Sequence, residues 1–167
     1  MGGTREEVSR PLPGDDLTRR PTFNATRAIS ISAPPEAVWP WLVQVGTTRA
    51  GWYSYDLLDN LGHPSARRII PELPASAPGD VVPMDPGGTQ GLAVHSVDPP
   101  RLMIWGTPGD ISWLWQLDPG PAGTTRLVTR IRSRIRWSPM PIALAGLMEV
   151  ADFWMIRKPR PRGRGGV

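Results

Sequence analysis

Tyr55 and Asp56 stand side by side in the run RAGWYSYDLLDN, and a phenol beside a carboxylate can pass a proton to or from a carbonyl compound. Trp52, Tyr53 and Asn60 crowd the same run, and Trp41 and Gln44 lie just ahead of it. Large rings with a few polar tips suit a small-molecule pocket, and they suit an ordinary core edge equally well. The structural alternative for the pair is that Asp56 caps a following helix and Tyr55 packs as core. Arg49 and Arg67 are near enough in sequence to form plain ion pairs with Asp56, Asp59 or Glu72. His95 is the third acid–base candidate, set between Ala93 and Val97 in an alternating run; its alternative is a hydrogen-bonded place on an outer face. Trp105, Trp113 and Trp115 are ring-bearing ligand contacts from later in the chain, and Met148 comes from the last apolar segment.

Other chemistries are excluded by what is missing. There is no cysteine, so there is no disulfide, thiolate or Cys-ligated zinc. His63 and His95 are far apart and lack acidic partners at ligand spacing, so no metal is expected. No nucleophile elbow, P-loop, dinucleotide glycine fingerprint or HExxH occurs, and no cofactor is expected.

These candidates need elements to hold them. Residues 25–32 alternate, with Arg27, Ile29 and Ile31 on one side and Thr26, Ala28, Ser30 and Ser32 on the other, which predicts a strand. Pro34, Pro35 and Glu36 then open a helix, whose apolar face is Val38, Trp41, Leu42 and Val45. Pro40 should kink or split it, and Gly46 should end it. A second short helix is expected from Leu57, Leu58 and Leu61, with Gly62 closing it, and a proline-broken loop follows over 63–78. Strands are predicted at 81–84, 91–97, 101–105, 111–117 and 124–137, joined by Gly-, Pro- and Asp-rich turns. Such short links demand antiparallel pairing, because parallel strands need long crossovers. Ile111, Trp113, Trp115 and Leu117 should share one face. Residues 142–157 then read as a helix apolar over most of its girth, hence covered on several sides.

At 167 residues the chain fits one domain: an extended or partly disordered arm over 1–24, a folded unit over 25–157, and a basic flexible tail over 158–167. The start is polar and no window is apolar enough to span a bilayer, so a cytoplasmic protein is expected. The net charge of +4 is unevenly spread: residues 126–167 hold 10 Lys+Arg against 2 Asp+Glu, and residues 1–125 hold 9 against 13. In the last predicted strand Leu127, Thr129, Ile131, Ser133, Ile135 and Trp137 face one way; Arg126, Val128, Arg130, Arg132, Arg134 and Arg136 face the other. Five cations cannot be buried unpaired, so that face is solvated or meets acids. A wet outer sheet face is the favoured expectation over a nucleic-acid stripe, and no specific nucleic acid is expected as a partner.

The order strand, two short helices, antiparallel meander, long apolar helix resembles the START-like helix-grip (SRPBCC) superfamily, in its polyketide cyclase/dehydrase and lipid-transport group. The resemblance is carried by ATRAISISAPPEAVWPWLVQVG, RAGWYSYDLLDN, RIIPEL, PGDVVP, PPRLMIW and TTRLVTRIRSR. The segment APPEAVWPWL marks the fold and no reaction. One departure is the end, where PRPRGRGGV stands in place of a continued basic helix. The resemblance implies an α+β helix-grip fold, a curved antiparallel sheet of about six to seven strands wrapped around the C-terminal helix. It also implies a cavity between sheet and helix for a hydrophobic or aromatic small molecule or lipid. Two other functions stand beside simple binding. One is a cyclase/dehydrase-like enzyme using acid–base groups in the cavity; the other is an interaction protein using the Arg-rich strand face and tail.

Overall fold

In the computed structural model, residues 3–46, 49, 68–71, 73, 76–84 and 90–134 are described. They form an α+β unit built on one six-stranded sheet. The elements are α1 (Arg5–Ser9), β1 (Phe23–Ile31), α2 (Pro35–Val43), β2 (Val81–Pro83), β3 (Gly91–Asp98), β4 (Leu102–Thr107), β5 (Ile111–Pro119) and β6 (Thr125–Ser133), with a 3₁₀ turn at Pro121–Gly123 before β6. The sheet order is β1-β6-β5-β4-β3-β2 and every pairing is antiparallel. The short turns between β2 and β6 force neighbours in sequence to be neighbours in space. The one long-range pairing joins the first strand to the last, from Phe23↔Ser133 through Ile31↔Thr125. This architecture fits a helix-grip fold broadly. The helices expected over 57–61 and 142–157 lie outside the described residues, as do the continuation of β6 past residue 134 and the tail. Among the described residues no helix is long and apolar enough to cross a membrane.

Alternation along the strands sorts the side chains into two faces. The inner face carries Val94, Met103, Trp105, Trp113, Trp115, Leu117, Leu127 and Ile131, and Val38, Leu42 and Val45 pack onto it from α2 and just beyond. α2 runs unbroken through Pro40 rather than splitting there. Of its expected apolar face, Val38, Leu42 and Val45 are in the inner core; Trp39 and Trp41 are both half-buried, and Trp39 packs against that core. At the C-terminal end of α2 the Val43 carbonyl accepts from Arg49 Nη2 at 3.1 Å and Ser76 Oγ at 3.1 Å. These donors satisfy one of the carbonyls a helix end leaves open.

The outer face holds the largest departure from expectation. It is not wet. Residues 4–20 lie across it, and they are not extended throughout, because Arg5–Ser9 is a helical turn closed by a capping box between Thr4 and Glu7. Leu12, with Leu17 beside it, packs on Ala28, Ile104, Leu114 and Val128, a second small core behind the sheet. Gly14 has φ +84°, and a Cβ there would press on the Ile104 side chain at 3.2 Å, so the arm approaches the sheet where only glycine fits easily.

The arginines hold this arm. Arg130 is 3% exposed. Its Nε donates to Thr26 Oγ1 at 2.8 Å; Nη1 donates to Arg10 O at 3.0 Å and Asp15 Oδ2 at 2.7 Å; Nη2 donates to Glu7 O at 2.7 Å and Val8 O at 2.8 Å. A guanidinium has five N–H donors, and all five are used here. Arg132 Nη1 lies 3.2 Å from Asp15 Oδ1, and Arg126 makes a forked pair with Glu7 at 2.7 and 2.8 Å. Arg134 donates to Arg19 O at 2.8 and 3.2 Å. Of the two outcomes open to a row of cations, solvent or acids, the face has met acids and carbonyls. The sheet-side cations Arg126, Arg130 and Arg132 are therefore committed within the chain, which removes them from any nucleic-acid stripe. Arg136 lies outside the described residues.

Candidate functional site

Three indoles dominate the inner face. β4 and β5 are paired so that Trp105 lies opposite Trp113 and Met103 opposite Trp115. Trp113 and Trp115 are two residues apart on one strand, so they project from the same face. The Trp105–Trp113 centroids are 5.4 Å apart with planes at 76°, an edge-to-face contact. Trp105–Trp115 is also 5.4 Å, tilted at 53°, and Trp113–Trp115 is 4.9 Å, near-parallel at 27°. All three pairs are within the range where ring quadrupoles attract, each worth about 0.5–1.5 kcal/mol beyond area burial.

The polar groups on this face are few. Trp113 Nε1 donates to Thr129 Oγ1 at 2.8 Å inside the core. Thr129 is the β6 residue opposite Trp115, and Arg27 of β1 is opposite Thr129, so Trp115, Thr129 and Arg27 form one row across three strands. Thr125 turns its hydroxyl to the Ala33 carbonyl at 2.6 Å, tying the end of β1 to β6. The described inner-facing side chains include no carboxylate and no imidazole.

The expected site residues divide clearly. Trp105, Trp113 and Trp115 are brought together on the inner face and buried. Gln44 is buried at 2% exposure, but its amide serves the fold: Nε2 donates to Arg68 O at 3.3 Å and Oε1 accepts from Ile70 N at 3.0 Å. That clamp fixes the chain at 68–70 against the end of α2. Trp41 is half-buried. His95 does not point into the molecule. It is exposed, at a register shift between Val94 and Ser96, so it is the extra residue of a β-bulge in β3. Strict alternation had placed it mid-strand; the bulge resets the count there. Trp52, Tyr53, Tyr55, Asp56, Asn60 and Met148 lie outside the described residues. Among the described residues no group of three His, Asp or Glu is placed to hold a metal ion.

Thr129 and Arg27 are among the inner-face polar residues the sequence did not single out. Their alternation was legible, but their place beside Trp115 depends on cross-strand register, which spacing along one strand does not reveal.

No family model matches the chain, and no curated protein matches it. Solved structures do match in fold. The Aha1 dimer from Colwellia psychrerythraea, known in solution, has a TM-score of 0.52 at 14% identity, covering 86% of this chain and 100% of that one. A conserved protein of unknown function, EF2215 from Enterococcus faecalis, has a TM-score of 0.51 at 14% identity, covering 89% and 80%. A Polyketide_cyc-like protein from Corynebacterium glutamicum, Cgl2372, matches at a TM-score of 0.40 and 15% identity, covering 78% of each chain. For the first two the likeness is one of fold alone, and it carries no activity with it.

Proposed function

We propose that this chain binds a hydrophobic or aromatic small molecule on the inner face of its sheet, in a cavity bounded on the far side by the apolar helix expected over 142–157. The observation that carries this is the buried triad of Trp105, Trp113 and Trp115, all within 5.4 Å of one another on one face. Rigid rings grouped on a fixed sheet give a ligand large apolar contact without the entropy cost of ordering flexible chains. The resemblance to the polyketide cyclase/dehydrase and lipid-transport group supports the same function. Trp41, Trp52, Tyr53, Tyr55, Asn60 and Met148 are assigned to the remaining walls of that cavity.

The test uses the uncharged fluorescent probe N-phenyl-1-naphthylamine. Titration into the purified full-length chain is expected to give saturable fluorescence enhancement, and native mass spectrometry a one-to-one adduct. Trp105→Leu, which keeps apolar volume but removes a ring, is expected to weaken binding about tenfold. A chain that takes up no probe at any concentration short of micelle-like aggregation does not have this function.

A further inference from the structure

The arm over the outer face joins the sheet through a strained link. Arg20 has φ +56°, in the left-handed region that residues other than glycine rarely adopt. Pro21 follows it, and the residue before a proline is driven towards extended backbone. The Arg20 side chain is exposed, so no packing of it accounts for the conformation. Arg19 is still tied to the sheet, its carbonyl accepting from Arg134 at 2.8 Å. Thr22 N already donates to Ser133 O at 2.9 Å, and β1 is in register from Phe23. The link is therefore Arg20 and Pro21, and the first of the two is held against its preference.

The arm and the face it covers are complementary in kind. Glu7 and Asp15 meet Arg126, Arg130 and Arg132, and Leu12 fills the apolar patch between strands. The turns that shape the arm are local to it: Asp15 Oδ2 accepts from Leu12 N at 3.0 Å, and Leu17 N donates to Gly14 O at 3.2 Å. None of these contacts requires that arm and sheet belong to one chain, since every copy presents the same two surfaces.

We propose that the outer face is an interface between copies of this chain, in which two chains exchange residues 4–20 and each arm docks on the other's sheet. Each interface of the exchanged dimer repeats the one seen within the chain, so its donors and acceptors are already matched. What changes is the link. Once opened, Arg20 returns to the extended backbone that Pro21 favours, and the strain is relieved in both copies; short links under strain promote such exchange. Opposing it is the tether, which holds each arm at an effective concentration of about millimolar beside its own sheet. The closed chain therefore prevails when dilute and the exchanged dimer when concentrated.

Light scattering on the full-length chain is expected to show a dimer share that rises with concentration. Arg20→Gly takes a positive φ without steric cost, which favours the closed chain; it is expected to weaken the dimer about tenfold. Arg20→Pro fixes φ near about −65° and forbids the closed link, so it is expected to be dimeric where the native chain is monomeric. A charge-reversed pair tests the exchange itself. In Glu7→Arg the arm is repelled by its own Arg126, and in Arg126→Glu the sheet repels its own Glu7. Mixed, each arm finds the opposite charge on the other chain's sheet. Native mass spectrometry of the mixture, with one chain isotopically labelled, is expected to show the heterodimer in about tenfold excess over either homodimer. A heterodimer no more abundant than random pairing gives overturns the proposal, as does an Arg20→Pro chain that is folded and monomeric at high concentration. If Arg20→Pro fails to fold, the charge-reversed mixture still decides, because each of its chains carries one substitution at a partly exposed side chain.

Discussion

Arg130 shows how much a single side chain organises. It sits behind the sheet at 3% exposure with every N–H donor used, and four of its five acceptors come from the arm. A buried cation is tolerable only with such saturation, and removing one side of a buried pair typically costs about 3–5 kcal/mol. Arg130→Met keeps most of the stem and takes a donor from three carbonyls and from the Asp15 carboxylate, which keeps Arg132. It is expected to lower unfolding free energy by about that amount in urea titration. Arg134→Met is the control, since Arg134 is exposed; its cost should stay within about 0.5 kcal/mol. Glu7 gives the arm a pH dependence. Its forked pair with Arg126 holds its carboxyl down to about 2 from the ordinary 4.5. A carboxylate with a depressed folded-state pKa stabilises the fold fully above its unfolded value, and the contribution disappears as the pH falls through the folded one. Stability is therefore expected to decline between about pH 4.5 and pH 2, with Glu7→Gln flattening that part of the profile. A Glu7→Gln curve parallel to the native one would show that the pair is idle. The sequence already required that the arginine row meet water or acids; which of these it met depended on a segment more than a hundred residues away.

At the scale of elements, the β4–β5 hairpin sets the candidate site. Its register puts Trp105 across from Trp113, and Gly106 across from Ser112. Gly106 has φ +136°, and a Cβ there would collide with the Ile111 carbonyl, a backbone atom that cannot turn away. Gly106→Ala is expected to be among the most damaging small substitutions in the chain, at about 3 kcal/mol or more, read as a loss of soluble yield or a large drop in Tm. Trp105→Ala should cost about 3–5 kcal/mol, because the ring is 1% exposed at the centre of the triad. Trp41→Ala should cost at least about 1 kcal/mol less, because Trp41 is half-buried and outside that core; chemical denaturation of both variants decides the order. Strand positions were legible to within two residues at most ends, because alternation and turn residues are local signals. The α2 face was legible at Val38, Leu42 and Val45, and Trp39, which the spacing did not single out, packs against the same core. With tryptophan on both sides of Pro40, spacing alone does not say which ring the sheet will accept.

For the whole molecule, the arm is what makes the sheet two-sided. Without it, Ala28, Ile104, Leu114 and Val128 would face solvent and Arg130 would lose most of its acceptors. Deleting residues 1–20 is therefore expected to give a chain that is insoluble or lacks near-ultraviolet circular dichroism. A truncated chain that melts within a few degrees of the native one would show that the arm is an accessory. The same arrangement predicts that the full-length chain does not bind duplex DNA through Arg126, Arg130 and Arg132, since each already has an anionic or carbonyl partner.

By itself the sequence determined the local terms: where strands begin and turn, which residues share a strand face, that pairing is antiparallel, and that Trp113 and Trp115 share one face. These follow from periodicity and short links, which act over a few residues. Only the tertiary structure decided that residues 4–20 cover the outer face, that a bulge puts His95 at the surface, that Gln44 bonds the backbone of Arg68 and Ile70, and that Trp113 finds its acceptor on Thr129. Each of these is settled by contacts between residues distant in sequence, where cross-strand register and the matching of donors to acceptors outweigh local preference.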